Sequence, residues 1–363
     1  MVERRLIALL LSGFFLMSVL PFSPSVSFNP LQMGDDDEGQ VLSEQQIVAL
    51  ESLPASDKVS GRTGNSTMET VQWAVKAGGP KGDVAFAIGV DLSGNAYVTG
   101  RFSNTAVFGS TSLTSSGDID IFIAKLNRSG SWQWAVRAGG SGYSDVGTAI
   151  AVDSSGNAYV TGTFGNTAIF GTTSLTSSGQ SDIFIAKLST SGLWQWAVKA
   201  GGSSEDGNIG NGITIDSNGN VYVSGDFQET ATFGSTSLTS NGASGIFIAK
   251  LSNSGSWQWA VTADDANSDI ERAYGIAVDS SGNIYVTGYF SDTAIFGNTS
   301  LTSDGPSDIF IAKLSSSGSW QWAVKAGASG RDYGRGIAVD SNGDTYVTGT
   351  FENTAVFGST TLT

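Results

Sequence analysis

From about Thr70 onward the chain is written in short apolar runs separated by breaks rich in Gly, Ser, Asn and Asp. One stretch shows the scheme. Thr148–Asp153 (TAIAVD) is followed by Ser154-Ser155-Gly156 and then by Asn157–Phe164 (NAYVTGTF). Gly and Asn between two β-branched or aromatic runs predict a tight hairpin. Asp182–Leu188 (DIFIAKL) and Leu193–Ala200 (LWQWAVKA) flank a second tight turn at Ser189–Gly192, and the text between the two pairs, Gly165–Ser181, can form a small extra hairpin. Four strands joined in this way predict one antiparallel sheet. In Ile150-Ala151-Val152 and Ile183-Phe184-Ile185-Ala186 both faces are apolar, so the sheet is covered on both sides.

The scheme repeats. The Gln-Trp-Ala triplet places its Trp at Trp73, Trp134, Trp196, Trp259 and Trp322, and an Asp that opens the first tight turn falls at Asp91, Asp153, Asp216, Asp279 and Asp340, each series advancing by 61–63 residues. A coil of a parallel β-helix is much shorter, and a tandem sandwich domain needs more strands per unit. Sheets that repeat at this period and bury both faces predict an all-β chain, a β-propeller of about five four-stranded blades. The last blade is incomplete, because the text stops at Thr363 where the next DIFIAKL-like run is due. The first strand, Val71–Ala77, corresponds to the fourth strand of a unit and is expected to help complete the last blade. An unfilled third position leaves open strand edges, so the chain is expected to be a fragment or to associate through them.

The first 27 residues break the pattern. Arg4 and Arg5 precede an apolar run, Leu6–Leu20; Pro21 and Pro24 end it, and Ser25-Val26-Ser27 supplies small residues for cleavage. This predicts a signal peptide over 1–27, a mature chain beginning near Phe28 and a secreted or cell-surface protein without stable membrane insertion. The alternative is a retained anchor, since the run approaches spanning length. Residues 28–69 contain the acidic run Asp35-Asp36-Asp37-Glu38, a short helix expected near Ser43–Leu53 and the polar stretch Gly61–Thr67. They predict an acidic, mostly disordered linker before the propeller domain at 70–363.

Composition narrows the chemistry. Charged residues make up only 14% of the chain, with 48 Gly, which suits a turn-rich β protein. Eighteen basic residues against 33 acidic ones give a net charge of -15, which disfavours nucleic acid and anionic membranes. The chain has no Cys and no His. Disulfides, thiolate chemistry, serine–histidine triads and His-ligated zinc are therefore excluded, and no cofactor is implied.

The text "SGYSDVGTAIAVDSSGNAYVTG" (Ser141–Gly162) together with "DIFIAKLSTSG" (Asp182–Gly192) resembles the SBBP β-propeller repeat family and, more distantly, NHL repeats. The resemblance extends from about Thr70 to the end of the chain. It implies an exported propeller whose first strand lies innermost in each blade, and it implies no activity. The Trp-Gln-Trp strand and the "TAxFGxTSLTS" insert depart from the family pattern.

Several residue sets are candidates for chemistry. Trp132/Trp134, Trp194/Trp196, Trp257/Trp259 and Trp320/Trp322 stand two apart and are expected on one side of their strands, as packing between blades or as a platform for sugar rings. The Asp-Ser-Ser-Gly-Asn turns lack the later carboxylate of a calcium loop, so their Asp and Asn are expected to set the hairpins. The pairs Gly78/Gly79, Gly139/Gly140 and Gly201/Gly202 read as strand ends rather than phosphate loops. Asn65, Asn127 and Asn298 fit the glycosylation pattern, which a Ser/Thr-rich chain also produces by chance. Chemistry in a repeat protein is expected where the repeat breaks: at Asp264/Asp265, at Glu271/Arg272 and at Arg331-Asp332-Tyr333.

The tight turns fall together on one face and the longer loops on the other. The long-loop face carries Asp83, Asp145, Asp206, Asp269 and Asp332, either as loop caps or as a ring of ligand-binding carboxylates. The expected function is a non-catalytic binding or structural module for a protein or glycan. The alternative is a glycan-acting enzyme that works with carboxylates alone.

Overall fold

The computed structural model describes residues 73–363 apart from 143, 205–206 and 264–270, together with the backbone of three short strands before them, Leu9–Leu11, Phe14–Leu16 and Ala49–Leu50. The rest of residues 1–72, where a signal peptide and a linker are expected, lies outside the described residues. Where a short helix is expected near Ser43–Leu53, Ala49–Leu50 pairs instead as a strand with Ala74–Val75.

Each complete unit folds as the hydrophobic pattern requires. The first blade is built from Val84–Val90, Ala96–Phe102, Asp120–Leu126 and Trp132–Ala138; the second from Val146–Val152, Ala158–Phe170, Thr173–Leu188 and Trp194–Ala200. The third comprises Ile209–Ile215, Val221–Phe227, Gly245–Leu251 and Trp257–Ala263, and the fourth Arg272–Val278, Ile284–Phe290, Asp308–Leu314 and Trp320–Ala326. In every one the strands pair antiparallel in chain order, and the first strands touch one another from blade to blade, which makes them the innermost. A fifth unit contributes Tyr333–Val339 and Thr345–Thr350. The first and last of these inner strands make no comparable contact with each other among the described residues. Among the described residues Ala74–Val75 pairs with Ala49–Leu50 and not with the fifth unit, and the Trp73 indole donates to the Arg128 carbonyl in a turn of the first blade.

The expected small insert is present in all five units, for example Thr105–Phe108 with Thr111–Thr114, and in the second blade it continues strands two and three without a break. It serves as a stitch. Gly139, at the end of one fourth strand, exchanges backbone hydrogen bonds with Ile169 in the next blade's insert, and Gly78–Val107, Gly201–Thr232 and Gly327–Val356 do the same. The core is correspondingly a series of seams. One seam packs Tyr97, Ile121 and Ile123 against Ile150, Val160, Phe170 and Phe184; the next packs Tyr159, Ile183 and Ile185 against Ile213, Val223, Phe233 and Phe247.

The Trp pairs correct the sequence expectation. A β-bulge falls between Trp132 and Trp134, so the two side chains leave opposite faces of their strand rather than one. Trp132 stacks edge-on against Phe108 of its own blade's insert, at 5.3 Å. Trp134 crosses to the next blade, where its indole donates to the Thr190 carbonyl at 3.0 Å. A Cβ on Gly192, which has φ +79°, would fall within 3 Å of the Trp134 ring. Trp196 and Trp259 repeat this contact with the turns at Asn253 and Ser316. These rings are inter-blade packing.

Candidate functional site

The tight-turn face is a closed structural assembly. Asp153 Oδ1 accepts from the amides of Ser155 and Asn157, both at 2.9 Å, while its Oδ2 accepts from Asn157 Nδ2 and the Tyr159 hydroxyl. Asp91, Asp216 and Asp279 repeat the set. Burial opposes the charge of Asp279, yet the hydrogen bonds from Asn283, Ser281 and Tyr285 outweigh it and hold the carboxyl below its ordinary range. Lys125, packed over the Tyr97 ring, reaches across to Thr190 Oγ1 in the following blade at 3.0 Å. Both oxygens of these Asp side chains are engaged within their own hairpin, while the Tyr97 hydroxyl and Lys125 reach the turns of the next blade.

Of the carboxylates expected on the long-loop face, the three that are described act as loop caps. Asp83, Asp145 and Asp332 are buried, not open to solvent, because each caps two loop amides. Asp145 accepts from Gly140 and Gly165, Asp83 from Gly79 and Ser103, and Asp332 from Ala328 and Glu352. Asp206 and Asp269 lie outside the described residues, and their spacing is out of register with the other three. The structural equivalents stand eight residues before the turn Asp and are Asn208, which accepts from the Gln228 amide, and the buried Glu271.

A second buried carboxylate, Asp120, Asp182 or Asp308, meets this column at three of the seams. Asp120 is held by the Ser116 amide and by Arg137 at 2.7 Å, and its Oδ1 has no hydrogen-bond partner. That Oδ1 and Asp145 Oδ2 both lie within 3 Å of the point where a Cβ would stand on Gly139. Burial, reinforced by the neighbouring Asp120 charge, pushes the Asp145 carboxyl up to about 7 against the pull of its two amides. Asp308 and Asp332 meet in the same way around Gly327, and burial raises both.

Residues that break the repeat gather at one place. They occupy the long-loop ends of the inner two strands in the third, fourth and fifth units. Asp226 Oδ1 accepts from Asn211 Nδ2 at 2.8 Å, and Asn211 also donates to the Ala273 carbonyl in the next blade. Arg272 Nε lies 3.7 Å from Asp226 Oδ2. Burial raises the Asp226 carboxyl to about 6, with Arg272 and Asn211 restraining it, and the Asp226 charge strengthens the hold of Arg272 on its proton. Tyr289 stands opposite Arg272 in the strand register; its ring is 5.9 Å from Tyr274 and 4.7 Å, edge to face, from Tyr333. Burial raises its phenol well above the ordinary value. The Arg335 guanidinium lies 4.5 Å from the Tyr274 ring centre and 5.1 Å from that of Tyr333. The Nε atoms of Arg272 and Arg335 are buried and have no hydrogen-bond partner.

The corresponding positions of the first two blades are unlike these: Phe86, with Arg101 over its ring at 5.7 Å, and Thr148, which donates to the Thr161 and Gly210 carbonyls. The irregular runs Glu271/Arg272 and Arg331-Asp332-Tyr333 point at this cluster from the sequence. Tyr274, Tyr289, Arg335, Asp226 and Asn211 do not announce themselves, since they sit inside strands that otherwise obey the repeat. A column-by-column comparison of the inner strands, VAFAIGV, VGTAIAV, IGNGITI, RAYGIAV and YGRGIAV, is the signal that finds Asn211, Tyr274 and Arg335.

Radially ordered four-stranded sheets, seams buried on both sides and one non-repeating cluster define a β-propeller repeat protein. Residues 133–163, 195–226, 265–289 and 321–350 match the SBBP model of β-propeller repeats. Each matched stretch except the third begins inside the Trp-Gln-Trp strand, and all four end by the second strand of the next blade, so the DIFIAKL strands lie outside them. The chain is also similar to the uncharacterized WD repeat-containing protein L264 of Acanthamoeba polyphaga mimivirus, 27% identical over 328 residues that cover 72% of this chain and 23% of the relative. The chain thus spans about a quarter of that relative's length.

Proposed function

We propose that the protein is exported and acts outside the cell, or at its surface, as a non-catalytic binding module. The observation that carries this reading is the cluster of Asn211, Asp226, Arg272, Tyr274, Tyr289, Tyr333 and Arg335 on an otherwise regular scaffold. Blade packing is served by the residues that recur, whereas a residue set that occurs once and includes two guanidinium groups with free donors is what a binding site requires. Among the described residues named in the cluster Asp226 is the carboxylate, and Arg272 and Asn211 engage it, which supports a binding role. Export is supported by Arg4, Arg5 and the apolar run Leu6–Leu20.

Two measurements test this. The intact mass of the exported protein should correspond to a chain beginning near Phe28; a mass that includes Met1–Ser27 would mean an anchored protein. Incubation of the purified chain with a panel of neutral and acidic glycans should release no products, and clean hydrolysis would replace the binding module with an enzyme.

A further inference from the structure

We propose that the cluster around Arg335 binds a carboxylate-bearing saccharide, an inference that rests on reading the protein as a binding module. Three features of the cluster lead there. The first is unspent donor capacity: the buried Nε–H groups of Arg272 and Arg335 have no acceptor, and a guanidinium fork matches a carboxylate in shape as well as charge. Asp226 lies 3.7 Å from Arg272 Nε, outside good hydrogen-bonding geometry, and its other oxygen is occupied by Asn211. The second is the frame of rings. Arg335 is sandwiched between Tyr274 and Tyr333, which fixes the guanidinium plane, and the half-buried Tyr289 and Tyr333 present aromatic surface and hydroxyls beside it. A sugar ring has apolar C–H faces for the former and hydroxyls for the latter.

The third feature is placement. Arg272 and Tyr333 are the first residues of their strands, and Asp226 and Tyr289 lie one residue from the ends of theirs, so the cluster opens toward the long loops. The Arg272 side chain is 39% exposed there. With a net charge of -15 the rest of the molecule repels long polyanions, which favours a short acidic saccharide held at one basic spot. A flexible acidic peptide would supply the carboxylate but no rigid ring for the tyrosines.

The test is calorimetric titration of the full chain at low salt with trigalacturonate and, separately, with the neutral galactotriose. Trigalacturonate should bind and galactotriose should not, and added salt should weaken the binding. Arg335→Gln should lower the affinity at least about tenfold, which is about 1.4 kcal/mol, while the melting temperature is kept. If that variant does not fold, Tyr289→Phe, which removes only a hydroxyl, should lower the affinity by a smaller factor. The proposal is overturned by equal binding of both sugars, by unchanged affinity in the variants, by binding of neither sugar, or by tighter binding of a short oligoglutamate. Binding of galactotriose that Tyr289→Phe weakens would sink the acidic specificity yet leave the binding module standing. Cleavage of the trisaccharide would do the reverse.

Discussion

Asp145 is an expensive residue to keep ionised. It is buried, its two oxygens cap loop amides, and the second carboxylate, Asp120, stands across Gly139 with only Arg137 to offset it. Its carboxyl is raised to about 7, so across the range between the ordinary carboxylate value and 7 the folded protein holds a proton that the unfolded chain has released. Its contribution to stability is therefore full below the ordinary value and is lost as pH rises through about 7. The melting temperature should fall between about pH 4 and about pH 7, and Asp145→Asn should flatten that fall and melt higher at the alkaline end. The third blade shows why Asn is tolerated: Asn208 stands at the equivalent position opposite Asp182, accepts from Gln228 and donates to the Ser181 carbonyl. A Tm of the variant that tracks the wild type across the whole range would remove Asp145 as the cause. None of this was legible from spacing alone. An approximate series of five Asp on one face looked like a ring; burial and the eight-residue register, which replace two of them by Asn208 and Glu271, became visible only once the strands were placed.

Among the elements, the fourth strand does the most to join blades, through a bulge that sends one Trp inward to its own insert and the other onward to the next blade's turn. Alternation counted along the sequence put both rings on one side, because a register shift leaves no mark in the text. The tight turns, by contrast, were legible: Asp, Gly and Asn at fixed offsets dictate the Asp153 hydrogen bonds and the positive φ of Gly156 whatever surrounds them. The joining role has a measurable signature. Trp134→Ala should cost about 3–5 kcal/mol, the usual range for deleting a large packed aromatic ring. Trp322 is 37% exposed, and the described residues supply no following turn beneath it, so Trp322→Ala should cost distinctly less. Urea unfolding midpoints of the two variants give the comparison, and equal losses would mean that the ring's own blade, not its neighbour, supplies the stabilisation.

At the scale of the whole molecule, a row of seams makes stability a nearest-neighbour property. The inner strand of the second blade is buried along its whole length, as is the second strand of the third, whereas both strands of the fifth unit are mostly half-buried. Amide hydrogen exchange should accordingly be slowest at Ile150 and Val223 and faster at Ile337 and Val347. Uniform protection across all five units would instead mean a single cooperative body. Sedimentation of the purified chain tests whether the half-buried fifth unit is covered by association; a monomer at every concentration would count against it. The fold was readable because two markers recur at one period and both faces of the strands are apolar. The cluster of Arg and Tyr side chains was only half readable, since it unites residues of three blades that a linear repeat keeps far apart.

The seams are not all written alike. Across successive junctions the third-strand residue and its counterpart in the next blade are Asp120 with Asp145, Asp182 with Asn208, Gly245 with Glu271, and Asp308 with Asp332. Where the third-strand Asp gives way to Gly245, its cation is gone too: Arg137, Lys199 and Lys325 have Thr262 as their equivalent, and Thr262 turns its hydroxyl to the Ile246 carbonyl instead. The longer Glu271 is the counterpart of the position that lacks the Asp side chain, and its carbonyl accepts from Ser244 Oγ. Each junction thus carries its own pair of residues, and the one between the third and fourth blades differs most from the others. Blades are therefore addressed as well as repeated. A chain in which the third blade was removed would set Glu271, one methylene longer than Asp145 or Asp332, against Asp182, whereas the junctions that recur, Asp120 with Asp145 and Asp308 with Asp332, pair side chains of one length. The order of units, which a period of 61–63 residues leaves free, is thus marked in the sequence at a single seam.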